Sequence, residues 1–118
     1  MNLHPSEIAL LKDFALAKSS WVSAAEEAIA TPEDVVWAED AEAWSKLSEC
    51  IQTPEAKEAF IAVVSELLSG VLHSALVSLD GGSELAETTT LSVQDADGHE
   101  FKRFLHEFWP EYSHAPHA

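Results

Sequence analysis

His73, Asp80 and His106 are the residues whose types and spacing come closest to a reaction centre. On a helix His73 lines up with Ser69 and Glu66, and Asp80 falls further along the same side. A neutral imidazole held by a carboxylate orients a ligand or accepts a proton as a general base. The three residues therefore outline one candidate pocket, for a metal or a small ligand, between a third and a fourth helix. The simpler reading of His73 is a satisfied, partly buried histidine at that seam. His99 and His106 stand two helical turns apart, too far for one metal ion without other ligands. No His-x3-His pair or Cys–His cluster occurs. His114 and His117 belong to the C-terminal tail and point to no chemistry.

The run Asp95-Ala96-Asp97-Gly98 raises calcium. With Gly98 in the glycine position of an EF-hand loop, Asp95 and Asp97 fall on ligand positions. The first and last ligand positions are then Val93 and Phe104, both hydrocarbon. The motif reads instead as a helix start, with Asp97 as N-cap and Glu100 reaching back in a capping box. Nucleophilic catalysis finds no support, since neither Gly-x-Ser-x-Gly nor Ser-x-x-Lys is present. Cys50 lies among acids, which raise a thiol's pKa. Gly81-Gly82 is flanked by Asp80 and Glu84 and is no phosphate loop. The expectation is a protein without cofactor and without catalytic residues.

Charge carries more information. Twenty-one acids against six bases, five of them Lys, give a net charge of −15 in 118 residues. Nucleic-acid backbones and anionic membranes call for clustered Lys and Arg, so neither is an expected partner. A basic protein is the natural complement. A chain that is acidic only for solubility is the plain alternative. The acids concentrate in residues 26–42, which contain no Lys or Arg. Within this stretch Glu33, Asp34, Glu39, Asp40 and Glu42 surround Trp37. They form the candidate partner-binding set, in which the acids steer a cation and the indole anchors it. The opposing reading is a solvated corner with Trp37 turned into the core.

These residues need a scaffold, and 118 residues with 47% apolar content suffice for one domain with a packed core. "HPSE", "TPED" and "TPEA" each place Pro in a first helical turn with acids behind it. They predict helices over residues 5–30, 32–51 and 54–79. The first buries Leu10, Phe14, Ala17, Trp21, Ala25 and Ala28, and the second turns Trp37, Ala41, Trp44, Leu47 and Ile51 to one side. The third, apolar nearly all round, is expected to be central and covered. Its window 59–79 is long enough to span a membrane. Glu66 and several serines within it, with no basic anchor at either end, favour a buried helix.

Asp80-Gly81-Gly82 closes the third helix. "ETTTLSVQ" then predicts a short strand over residues 88–94, whose edge seeks a partner in this chain or in a second copy. Phe101, Phe104, Leu105, Phe108 and Trp109 keep helical spacing and predict a short fourth helix ending at Pro110. Residues 110–118 are expected to be a flexible tail. The fold expected is mainly α: a compact bundle of three long helices plus a short C-terminal helix, with one short strand before it. The lone Cys50 and the lack of a signal-peptide pattern predict a cytoplasmic protein.

The C-terminal half, "GVLHSALVSLDGGSELAETTTLSVQDADGHEFKRFLHEFWPEY", resembles small bacterial proteins ending in a similar order of Leu-Asp-Gly-Gly, strand, Asp-Gly and Leu-His-Glu. It also resembles the acidic single-domain immunity proteins encoded beside polymorphic toxins. The likeness covers about half the chain and rests on turn and cap signals, and no functional residue carries over from it. It implies a non-enzymatic inhibitor that covers the basic cleft of a toxin or nuclease. Two other readings stay open. One is a metal- or ligand-binding enzyme using His73, Asp80 and His106, and the other is a small adaptor that dimerises through residues 88–94.

Overall fold

The computed structural model describes residues 2–102 and 104–114. Helices dominate: α1 (Pro5–Ala30), α2 (Ala41–Cys50), α3 (Pro54–Leu79) and a short α4 (Trp109–Ser113), with 3-10 turns at Pro32–Asp34, Glu84–Glu87 and Leu105–Glu107. The first and third helices keep the boundaries that their proline-marked starts predict. At the start of α3 the Thr53 hydroxyl accepts from Ala56 N at 3.1 Å, an N-cap.

The helix expected over residues 32–51 is half that length. Thr31-Pro32 opens only a 3-10 turn, and residues 35–40 follow without helix. Val35 and Val36 lose side-chain freedom in a helix, which weakens propagation at that point. The helix restarts at Asp40, whose Oδ1 accepts from Ala43 N at 3.0 Å.

The expected strand is absent among the described residues. An isolated antiparallel bridge between Gln94 and Glu100 replaces it, extended by Phe101 N donating to Val93 O at 2.8 Å. The edge therefore pairs with this chain's own next segment. The Asp-Gly motif is the turn of that small hairpin and starts no helix. Asp95, not Asp97, does the capping: its Oδ1 accepts from Asp97 N and His99 N, each at 2.9 Å. Gly98 turns the chain at φ 85°. With the backbone committed to the hairpin, the helix expected from Phe101 cannot begin. Phe104 takes φ 74°, and α4 starts only at Trp109. Pro110 lies in the first turn of that helix and does not end it. Ser113, within the expected tail, is buried; residues 115–118 of that tail, His117 among them, lie outside the described residues.

The chain divides into two units. One holds Met1–Lys18 and Leu68–Ala118, the other Ser19–Leu67, so that α1 and α3 supply residues to both. The core of the first is Leu11, Ala15, Leu76, Leu105 and Trp109, with Leu10, Phe14 and Leu72 packed against it. In the second, Ala25, Ala28 and Ile29 are buried. The buried stripe of α1 thus includes Leu11 and Ala15, while Ala17 and Trp21 of the expected stripe are exposed. Nor is α3 a covered helix, for Leu76 is its one buried residue. Val63, Leu67 and Val71 are exposed, and only 6% of its most apolar window is buried. By length and composition that stretch could cross a membrane.

Candidate functional site

The acid-rich stretch lies in the Ser19–Leu67 unit, and its side chains face solvent. Glu33, Asp34, Glu39, Asp40 and Glu42 are all exposed. Trp37 is 42% exposed, between the core and the solvent. It meets Trp21 edge to face, with centroids 5.4 Å apart at 90°, and Trp44 at 5.5 Å and 84°. Trp44 continues to Phe60 at 6.4 Å. Four rings in T-shaped contact form a rigid aromatic step, held by the attraction of ring edges to ring faces. Trp21, 52% exposed, is its outer end. The sequence pattern missed Trp21 as a surface residue because its spacing fits a buried stripe.

Two of the acids have local partners. Asp40 caps α2, and Glu42 pairs with Lys46 one turn on at 3.3 Å, both side chains largely exposed. A pair in that setting is weak and screened by salt. Glu33, Asp34 and Glu39 have no cation partner among the described residues.

A groove in the same unit escaped the sequence reading, since it depends on which residues of α1 and α3 meet. It encloses about 590 Å³ and is lined by Val22 and Glu26 of α1 and by Pro54, Lys57, Glu58 and Ile61 of α3, among others.

The histidine constellation lies in the other unit, and there the structure brings its three members together. His106 Nδ1 is 2.6 Å from Asp80 Oδ2, which also accepts from His106 N at 2.9 Å. The ring of His73 stands edge-on to that of His106, centroids 5.5 Å apart. This is carboxylate–imidazole geometry suited to fixing a tautomer. Both hydrogen bonds fall on one oxygen of a nearly buried carboxylate at the end of α3. They tie the 3-10 turn at Leu105–Glu107 to that helix end. A cavity that Asp80 lines encloses about 20 Å³, room for a water molecule and not for a substrate. Among the described residues no three His, Cys, Asp or Glu side chains are placed to share a metal ion.

Two further polar clusters in this unit had no signal in the sequence. Glu7 is 0% exposed. Its carboxylate accepts from His4 N at 2.7 Å and from Lys102 N at 2.6 Å. Burial pushes its pKa up, but those two N–H groups and the nearby Lys102 and His99 outweigh it and leave the carboxyl below its ordinary value. The rings of His4 and His99 stack at 3.6 Å and 14°. His99 Nε2 is buried without a hydrogen bond, 3.7 Å from Glu7 Oε2. Asp95 is likewise held below its ordinary range, first by the Ser6 hydroxyl at 2.6 Å and then by His99 N.

Lys18, 8% exposed, donates to Ser113 O at 2.8 Å and to Ser113 Oγ at 3.1 Å. Burial draws its pKa down. Ser113 Oγ lies 2.5 Å from Ser69 Oγ, and Trp109 Nε1 donates to Ser69 O at 3.0 Å. A lysine beside a serine hydroxyl is a pairing that can activate a nucleophile. Here Ser113 is only 4% exposed, so its hydroxyl is closed to a substrate. The cluster fastens α4 to α1 and α3.

Set against protein-family models, curated proteins and solved structures, the chain matches none.

Proposed function

We propose that this chain is a non-enzymatic acidic binding protein, an immunity-type inhibitor acting in the cytoplasm by covering a basic protein such as a toxin or nuclease. One observation carries the reading: an aromatic step half open to solvent, Trp21 and Trp37, in a unit that also exposes Glu33, Asp34, Glu39, Asp40 and Glu42. Exposed acids project a field that speeds encounter with a basic surface, and of these Glu33, Asp34 and Glu39 have no cation partner among the described residues. Rigid indoles give that encounter a place to end, because a preformed aromatic anchor loses little freedom on binding. The net charge of −15 supports the same choice of partner and disfavours nucleic acid and anionic lipid.

The test uses the full chain as bait, beside a variant carrying E33Q, D34N, E39Q, D40N and E42Q. Asn at position 40 still caps a helix, so α2 is preserved. The reading expects the wild type to retain a basic protein that the variant loses. A partner that is acidic, or held equally by both baits, contradicts it.

A further inference from the structure

We infer that the groove between α1 and α3 in the Ser19–Leu67 unit is a receptor for arginine side chains of a basic partner. The inference rests on the proposed function and specifies a subsite for it. The groove's apolar lining is the half-buried Val22 and Ile61 with the exposed Ala62, and its charged lining is Glu26, Glu58 and Lys57. A smaller hollow of about 300 Å³ adjoins it and adds Glu27. Two carboxylates and one ammonium thus line the groove, and the hollow beside it brings a third carboxylate.

That ammonium does not satisfy them. Lys57 Nζ stands 3.7 Å from Glu26 Oε1, and both side chains are about half exposed. Such a pair is loose and easily exchanged. Glu58, also exposed, has no ion-pair partner among the described residues.

The shape and the charge select the occupant together. A small anion is repelled by the carboxylates. A neutral drug-sized ligand needs most of its surface enclosed, whereas this groove opens broadly to solvent. An arginine fits both halves: its methylene stem lies on the apolar lining, and its guanidinium reaches the carboxylates. There the planar fork engages a carboxylate through two parallel hydrogen bonds, a geometry the compact ammonium of lysine lacks. The guanidinium is also less strongly hydrated, so it loses less on entering the groove.

The probe is the peptide N-acetyl-Arg-Leu-Arg-amide, titrated into the full-length protein while amide and methyl NMR signals are followed. Its citrulline counterpart, equal in shape but uncharged, is the control. The expected result is saturable shifts at Val22, Ile61 and Ala62, with affinity lower by about tenfold or more for the citrulline peptide and for the variant E26Q/E58Q. Both substitutions are at exposed positions, and circular dichroism verifies the helix content of the variant. Absence of shifts at these three residues, or equal binding by the variant or the citrulline peptide, overturns the inference. The indole signals of Trp21 and Trp37 separate the two claims. Shifts there without shifts in the groove remove the arginine receptor and leave the acidic aromatic surface. Groove shifts when the five-residue neutral variant retains its partner do the opposite.

Discussion

Glu7 and Lys102 are joined across 95 residues of sequence by a 2.6 Å hydrogen bond from the Lys102 backbone N–H to the buried Glu7 carboxylate. The same carboxylate accepts from His4 N. One side chain therefore caps the start of α1 and holds the segment that leaves the Asp95–Gly98 turn. Replacing it strands two donors in a dry environment. Glu7→Ala is expected to destabilise the protein by about 3 kcal/mol, while Glu7→Gln, which keeps one acceptor oxygen, costs about 1 kcal/mol. Urea denaturation of both variants measures the difference, and equal losses would show that hydrogen bonding at Glu7 is not the cause.

Acid should unfold this unit through the same residues. Glu7 and Asp95 both have folded pKa values below their ordinary 4.5 and 3.8. A carboxyl with a depressed folded pKa contributes stability that is full above its unfolded value and is lost as the pH falls through the folded one. Stability should thus fall with decreasing pH below about 4.5, and Glu7→Gln should flatten that limb. Thermal melts between neutral pH and pH 3 or so read it directly.

Lys18 predicts a change at the opposite end of the scale. Burial lowers its pKa from the ordinary 10.5, so below the folded value the native state carries the cost of a buried charge. As the pH rises from the folded pKa to the unfolded one, that cost is relieved and stability increases. Lys18→Met removes the charge and retains the stem. The variant should lose the alkaline rise, and at neutral pH it should lose about 1 to 3 kcal/mol because the buried Ser113 O and Oγ are left without their donor. An unaltered alkaline profile in the variant would assign the rise to another group.

Gly98 tests the turn. Its φ is 85°, and a Cβ built there meets nothing within 4 Å. Gly98→Ala therefore introduces backbone strain without a clash, at about 1 to 2 kcal/mol. A larger loss would mean that the turn is packed more closely than this; no loss would mean that the left-handed conformation is not held.

Much of the helical framework was legible in the sequence because proline and acids mark helix starts by a local mechanism. Pro5 and Pro54 open α1 and α3 where expected. Thr31-Pro32 carries the same marks, yet the helix fails, because a start signal says nothing about propagation through Val35 and Val36. Phe101, Phe104, Leu105 and Phe108 have helical spacing, but Asp95 ties up the preceding N–H groups in a hairpin turn. The apolar pattern of α3 predicted burial, yet Leu76 is its one buried residue, because an apolar run does not show what covers it. At the candidate site the exposed acids could be read from composition. The exposure of Trp21 could not, because a stripe shows which residues share a face and not what covers it. The groove depends on the pairing of Glu26 with Lys57, thirty-one positions apart, and leaves no local trace.

The most direct measurement for the account is stopped-flow association of the retained basic partner with wild type and Trp37→Ala across a range of salt, followed by tryptophan fluorescence. The account predicts a wild-type association rate that falls steeply with salt, as exposed charges are screened over about 10 Å at 0.1 M. It also predicts that Trp37→Ala leaves this rate nearly unchanged and raises the dissociation rate by about tenfold or more. A salt-independent association rate, together with unchanged dissociation for Trp37→Ala, would contradict it.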